Sequence, residues 1–400
     1  GSGIEKEKEI TLFLDEVPRI LGIDISQEKI KDIFKKLNLE PVKKKNRISV
    51  TCPSYRGDLN KEIDLIEEIA RFYGYDNVPA RLPFFTPQKT YQLEKKTAAF
   101  ENEIRKTLCG MGLNEIMTYA LTSRNTVERL GISPDNLVSL KNPMSSQQEV
   151  MRPNLLSEML EVLNWNLNRK NTLLQLFELN KVYIMNKETG QADEKMHLSI
   201  GICGDKPGNW KEKPRDLDFF DLKGIIEILM DSLGVAGYRM EKTAHPSLKE
   251  SMSTTVNAGG KACAAFGEVK EDVARGFDIK RKVYAAEITL DDLLSCANLK
   301  KTFTSLPKYP SVKRDIAILL DDTINASGIY DVIKEEARGL VKSVDVFDLY
   351  KGRQIQEGKK SLAYTIEYRS DERTLNDKEV NDLHKKVQDA LTKRLGAQIR

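Results

Sequence analysis

Four carboxylates crowd one short stretch, "YRGDLNKEIDLIEEIARFYGYDNVPARLP", residues 55–83. Asp64, Glu67 and Glu68 stand three and four residues apart. That spacing puts them on one helix face, where like charges repel by roughly 0.2–0.5 kcal/mol per pair. Asp58 lies just upstream, and Gly57 gives the turn the freedom to fold it back. Four carboxylates suit a hard divalent cation with oxygen ligands, Mg²⁺ ahead of Ca²⁺. The same residues also suit helix electrostatics alone. Acids favour a helix N-terminus, and Arg71 lies one turn beyond Glu67 and Glu68. Residue types and spacing leave both readings open.

The elements that would position these acids form a small α/β unit over residues 8–85. "EITLFL" (9–14) and "NRISVTCPSY" (46–55) read as strands. "SQEKIKDIFKKLNLE" (26–40) reads as an amphipathic helix through Ile30, Ile33, Phe34 and Leu37, with Ser26 as N-cap. The acidic helix follows, with seams at Leu59, Ile63, Ile66, Ala70 and Tyr73 and at Leu65, Ile69 and Phe72, and Gly74 stops it. This is a helix-turn-helix-like or winged-helix module. A proline-rich linker is expected at 78–90.

Residues 91–300 alternate helices and strands. Helices are expected in "KTAAFENEIRKTLCGMGL", in "RPNLLSEMLEVLNWNLNR" with Pro153 in its first turn, and in "DLKGIIEILMDSLG". Strands are expected in "NEIMTYALTS", "LLQLFELNKVYIM", "HLSIGICG" and "VYAAEITL", and a hairpin at Gly259-Gly260. Such an order implies an α+β domain on a largely antiparallel sheet. Residues 305–400 read strand, helix, strand, strand, helix, strand, a ferredoxin-like βαββαβ domain.

Length and composition fit a globular chain of several domains: 400 residues, 40% hydrophobic, 31% charged, net charge +3. No apolar run reaches the roughly 18 residues that span a bilayer. Five separated cysteines, with no CxxC pair, point to a reducing compartment, the cytoplasm. The leading Gly1-Ser2-Gly3 reads as a cloning remnant, so the sequence is expected to start inside a longer protein. Phosphate-binding G-x-x-x-x-G-K-[ST], strand-linked G-x-G-x-x-G and G-x-S-x-G are all missing, and no histidine pair has metal spacing. No catalytic residue is assigned, and the central domain reads as a scaffold.

"CPSYRGDLNKEIDLIEEIARFYGYDNVPARLP" resembles the helix-turn-helix-like domain of the phenylalanine–tRNA synthetase β-subunit family. "LKNPMSSQQEVMRPNLLSEMLEVLNWNLNRKN…LQLFELNKVY" resembles that family's class II synthetase-like module. "LPKYPSVKRDIAILLDDTI" and "VFDLYKGRQIQEGKKSLAYTIEYRSDERTLNDKEV" resemble its ferredoxin-fold anticodon-binding domain, which points to the bacterial type. The resemblance implies domains at 4–84, 85–304 and 305–400. It implies part of a ligase that attaches phenylalanine to tRNA(Phe) with ATP, whose catalytic α subunit pairs with β in a tetramer of two α and two β. It also implies that the family's upstream tRNA-binding and editing domains are not in this sequence. The family pattern D-x5-D-x2-E-E carries a magnesium site shared with α, and Asp58, Asp64, Glu67 and Glu68 reproduce it position for position.

Given that resemblance, the last domain is where RNA would be read. Strand alternation puts Ile316, Ile318 and Leu320, and Leu362, Tyr364, Ile366 and Tyr368, toward the helices. Lys313, Asp315 and Ala317, with Ser361, Ala363, Thr365 and Arg369, then face outward. In "VDVFDLY", Val346, Asp348 and Tyr350 share one face, and Asp345, Phe347 and Leu349 the other. Asp348 would accept from a guanine edge and Tyr350 would stack a base. Lys308, Lys313, Arg314, Lys351 and Arg353 would meet phosphates of the tRNA(Phe) anticodon stem-loop. Two rival readings remain: a freestanding nucleic-acid-binding protein, disfavoured by its acidic helix, and a purely structural interaction module.

Overall fold

Alternating apolar residues make the first strand: in β1 (Lys8–Phe13) Ile10 and Leu12 enter the core while Lys8, Glu9 and Phe13 stay exposed. The computed structural model describes residues 8–80, 89–337, 339–352 and 355–400, apart from the side chains of residues 89–95. Gly1-Ser2-Gly3 and residues 81–88 of the expected linker lie outside the described residues. Gly1–Ala99 and Phe100–Arg400 are separate units. Among the described residues no helix is long and apolar enough to cross a membrane.

In the first unit β1 leads to α1 (Glu16–Leu21), α2 (Gln27–Lys36), β2 (Glu40–Lys44), β3 (Arg47–Cys52) and α3 (Glu62–Tyr73). The sheet order is β1-β3-β2, antiparallel throughout. Ser26 caps α2 by accepting from the Lys29 amide at 3.3 Å, as expected. The helix expected through residue 40 stops at Lys36, because residues 40–44 pair with β3 instead. β2 is an edge strand with little buried alternation, and it carries Pro41, which an edge tolerates. Leu65, Ile66, Ile69 and Ala70 of α3 are buried with Phe34, Ile48 and Val50. Each fully buried leucine, isoleucine, valine or phenylalanine here contributes roughly 1.5–3 kcal/mol, and Ala70 less. Ile63 and Phe72 of the expected seams are instead exposed.

α4 (Lys89–Gly110) begins in the first unit and ends in the second, which continues with β4 (Asn114–Glu115), β5 (Leu121–Thr122), α5 (Arg124–Arg129), β6 (Val150–Met151), α6 (Leu156–Leu167), β7 (Leu173–Met185) and β8 (Ala192–Lys206). The second unit runs on through β9 (Arg215–Asp216), α7 (Phe219–Ser232), β10 (Arg239–Lys242), β11 (Leu248–Ala258), β12 (Lys261–Val269), α8 (Glu271–Gly276), β13 (Val283–Thr289) and α9 (Leu290–Cys296). The large sheet runs β10-β11-β12-β13-β8-β7-β4, antiparallel except for β4 on β7, with β9 beside β8. One face packs Phe100, Leu108, Ile226 and Leu293 against Phe177, Leu198, Ile200 and Phe266. The other packs Met159, Leu160 and Leu163 of α6 against Leu174, Leu176, Val283 and Ala285. Gly201 permits that approach, since a Cβ there would lie 2.7 Å from Met159 Cγ. Positive φ at Gly259 (56°) and Gly260 (79°) makes the expected hairpin turn.

Two expectations in this region are corrected. "NEIMTYALTS" is not one strand, for only Asn114–Glu115 and Leu121–Thr122 pair. Between them the Thr118 amide donates to Glu178 Oε1 (3.1 Å) and Arg152 Nη1 to the Tyr119 carbonyl (3.3 Å). A buried ion pair thus takes the place of a ladder. Pro153 precedes the helix: α6 starts at Leu156, and Asn154 Oδ1 accepts from the Leu156 and Ser157 amides.

The chain ends with β14 (Val312–Asp321), α10 (Ala326–Glu336), β15 (Val341–Tyr350), β16 (Lys359–Tyr368), α11 (Asp377–Leu395) and β17 (Gln398–Ile399). Sheet order β15-β16-β14-β17 gives the ferredoxin-like βαββαβ arrangement, and the whole chain is α+β. Ile316, Ile318, Leu320, Leu362, Tyr364, Ile366 and Tyr368 pack against Ile329 and Ile333 of α10 and Val387 and Leu391 of α11. Both helices therefore cover one face of this sheet.

Candidate functional site

The acids of α3 do not converge. Asp64 turns back over the start of its own helix, where its Oδ2 accepts from the Asn60 and Lys61 amides, each at 2.7 Å. Those backbone donors hold its carboxyl below the usual range. Arg56 bridges two of the others. It donates to Asp58 Oδ1 (2.9 Å) and Oδ2 (2.6 Å) and to Glu68 Oε1 (2.9 Å). Hydrogen bonding to Arg56 lowers the pKa of Asp58, and Asp58 in turn heads the causes that raise that of Arg56. Glu68 Oε2 also meets Arg71, while Glu67 stays exposed. Among the described residues no group of three or more His, Cys, Asp or Glu could hold a metal ion. A hard cation needs several convergent oxygens. Here the oxygens of Asp58, Asp64 and Glu68 face guanidinium and amide donors and Glu67 stays exposed, so the donor set as arranged does not fit magnesium. Arg56 is the residue that the sequence reading missed, although it sits only two positions before Asp58.

The open face of the last sheet is ordered by β15, which carries register shifts at Lys342 and at Phe347. Asp345 pairs with Thr365, Val346 with Tyr364, Asp348 with Ala363 and Tyr350 with Ser361. Since Tyr364 is in the core, Val346 lies on the helix side. Asp345, Asp348 and Tyr350 share the open side, with Phe347 as the extra residue of a bulge. The expected grouping of Asp345 with Phe347 and Leu349, and of Val346 with Asp348, is corrected accordingly. Plain alternation cannot reveal a bulge, because two residues there oppose one.

Across this face run the rows Lys313–Glu367–Ser343, Asp315–Thr365–Asp345, Ala317–Ala363–Asp348 and Leu319–Ser361–Tyr350. Thr365 Oγ1 donates to Asp315 Oδ1 at 2.6 Å. The Tyr350 ring lies over Gly352, where a Cβ would stand 2.5 Å from its Cζ. Asp348 and Tyr350 therefore stand beside Ala363 and Ser361 of the neighbouring strand, and register adds Ser361 to the pair.

The expected phosphate contacts divide. Lys313 is exposed on this face. Arg314 points to the helix side, where it donates to Asn381 Oδ1 (3.1 Å) and Asp377 Oδ1 (2.8 Å) of α11. Its even position in β14 puts it with Ile316 and Ile318, so the sequence reading of Arg314 as a rim contact is corrected. Lys351 pairs with Asp322 at 2.5 Å. Lys308 is exposed, and Arg353 lies outside the described residues.

The central sheet buries one charged network. Arg152 and Glu178, each 1% exposed, meet at 3.0 Å, and Thr118 Oγ1 donates to Glu178 Oε2 at 2.7 Å. Arg152 Nε donates to the Lys181 carbonyl at 3.0 Å, and Asn180 Nδ2 to Glu178 Oε1 at 3.1 Å. Every partner belongs to the protein, which makes this a device that holds segment 116–120 against β7.

Three family descriptions match consecutive segments. Residues 10–75 match the tRNA synthetase B5 domain, 78–290 the phenylalanyl-tRNA synthetase beta chain CLM domain, and 307–400 the ferredoxin-fold anticodon-binding domain. Over 402 residues the chain is 34% identical to the phenylalanine–tRNA ligase beta subunit of Clostridium tetani, covering 99% of this chain and 49% of that protein. The Geobacter sulfurreducens protein of that name is 35% identical over 405 residues, covering 98% and 49%. The Bacillus subtilis protein of that name is 33% identical over 391 residues, covering 96% and 47%. The chain spans about half the length of these curated relatives. A three-stranded unit with an acidic helix, an antiparallel sheet flanked by helices and a βαββαβ domain thus follow one another in the order of these three descriptions, and the chain belongs to the phenylalanyl-tRNA synthetase beta chain family.

Proposed function

We propose that this chain is the part of a phenylalanine–tRNA ligase beta subunit that scaffolds the catalytic α subunit and binds the anticodon region of tRNA(Phe). The observation that carries the tRNA half is the open sheet face, where a carboxylate and a phenol stand two residues apart beside Ala363 and Ser361. Unstacked bases are read by ring stacking and by hydrogen bonds to their edges. Tyr350 supplies the ring. Asp348 accepts from a base that presents N–H groups, as guanine does, and Lys313 meets the backbone at the rim.

The assembled enzyme, with two α and two β chains, joins phenylalanine to tRNA(Phe) with ATP in the cytoplasm. Magnesium belongs to that assembly. The acids of α3 would offer oxygens to it only if contact with α drew Arg56 away from Asp58 and Glu68.

Binding of the 400-residue chain to a tRNA(Phe) anticodon stem-loop at fixed salt tests the reading. Asp348→Ala and Tyr350→Ala should each weaken binding by about 1–3 kcal/mol. Unchanged affinity in both variants would remove this face from recognition. Mixing with the α subunit and measuring aminoacylation tests the scaffold. Activity of the mixture, with neither half active alone, is expected.

A further inference from the structure

Beside the N-terminus of α6 the large sheet opens into a cleft of about 470 Å³. Small-molecule sites occupy roughly 300–1,000 Å³. Leu137, Leu156 and Ile184 form apolar walls, while His197, His245 and Glu287 bring polar groups. Two of the chain's three histidines thus line one cavity, far in sequence from the anticodon-binding face.

Glu287 is the only Asp, Glu, Lys or Arg among the lining residues. Its Oε1 accepts from the Leu155 amide at 3.2 Å and lies 2.8 Å from His197 Nδ1. The second oxygen, Oε2, has no hydrogen-bond partner among the described residues. In the tautomer that donates from Nδ1 to Glu287, the His197 ring keeps a lone pair on Nε2 that faces away from the carboxylate's bonded oxygen. His245 is the opposite tautomer. Its Nδ1 accepts from the Ser247 amide at 3.2 Å, which leaves the N–H on Nε2, and burial favours the neutral ring.

The lining therefore offers one negative charge, one imidazole acceptor, one imidazole donor and branched apolar walls. We propose that this cleft binds a small amphipathic amine, with its ammonium on Glu287 and His197, an acceptor atom on His245, and a branched apolar body against Leu137, Leu156 and Ile184. The pairing satisfies the carboxylate's open oxygen and uses both ring polarities. It does not rest on the anticodon reading, because the residues and the sheet are different.

Calorimetry with L-leucinamide on the 400-residue chain tests it, with neutral 2-hydroxy-4-methylpentanamide as the uncharged analogue. Saturable binding of the amine is expected, with the hydroxyl analogue at least about tenfold weaker. Glu287→Gln should weaken the amine by a similar factor, and Ala265→Leu, which fills the cleft, should also weaken it. Thermal unfolding confirms that each variant folds. In the wild-type chain the ring signals of His197 and His245 should shift on titration. That of His384, bonded to Tyr368 in the last domain at 3.0 Å, should not. No saturable binding, equal binding of amine and hydroxyl analogue, or unmoved His197 and His245 signals would each overturn the proposal.

Discussion

Arg56 and Glu68 lie twelve residues apart in sequence and meet at 2.9 Å, Nη2 to Oε1, at the foot of α3. The same guanidinium holds Asp58. A helix face that looks self-repelling is therefore balanced by a cation from the turn before it. Arg56→Gln should lower stability by about 1 kcal/mol, since the pair is partly exposed and screened. Urea unfolding measures this. Millimolar magnesium should raise the midpoint of that variant and leave the wild-type chain indifferent. A magnesium-dependent midpoint in the wild-type chain would show that the acids release Arg56 readily.

Lys313 and Arg314 are neighbours in sequence with opposite expectations. Lys313→Ala should weaken stem-loop binding and reduce the salt slope by about 1. Arg314→Ala should leave the slope alone and lower the unfolding midpoint instead, through its lost bonds to Asp377 and Asn381. Equal loss of slope in both variants would place Arg314 at the RNA after all.

Glu158, buried in α6, has its pKa pushed up to about 7, chiefly by desolvation, against 4.5 when free. Between those values the folded chain holds a proton that the unfolded chain has lost. Stability therefore falls as pH rises through that window. Burial at this depth makes the loss on the order of 3 kcal/mol. Glu158→Gln, which cannot ionise, should remove this part of the pH dependence. Denaturant unfolding at pH 5 and at pH 7.5 gives the comparison, and parallel losses in wild type and variant would discount Glu158.

Arg152→Met alone should destabilise by about 3–5 kcal/mol, because it leaves Glu178 buried without its partner. Adding Glu178→Leu should recover part of that loss. A double variant no more stable than the single one would mean that the hydrogen bonds to Thr118, Tyr119 and Lys181 matter more than charge balance. Thermal unfolding of the wild-type chain and the two variants decides between these.

Much of this architecture was legible because it rests on local repetition. Ile316, Ile318 and Leu320 mark β14, Ser26 announces α2, and Gly259-Gly260 announces a hairpin. What stayed hidden depends on partners distant in sequence or on counting residues across a ladder. The strand expected at residues 114–123 is broken by Arg152 and Glu178, which sequence spacing does not connect. The bulge at Phe347 exists only relative to β16. For the candidate sites, residue types pointed to acids on α3 and to Asp348 and Tyr350. Geometry then separated those acids from one another, joined Ser361 to Tyr350 and turned Arg314 away.

The bulge at Phe347 has a second consequence, for solubility. β15 is an edge strand, and Val346, Phe347 and Leu349 are all exposed. A flat edge of that composition would template pairing with a strand of another molecule. Two register shifts interrupt its regular spacing, and Asp345 and Asp348 put charge along it. An incoming strand would meet a bent ladder and two carboxylates. The irregularity that sets the open face thus also keeps the sheet from growing.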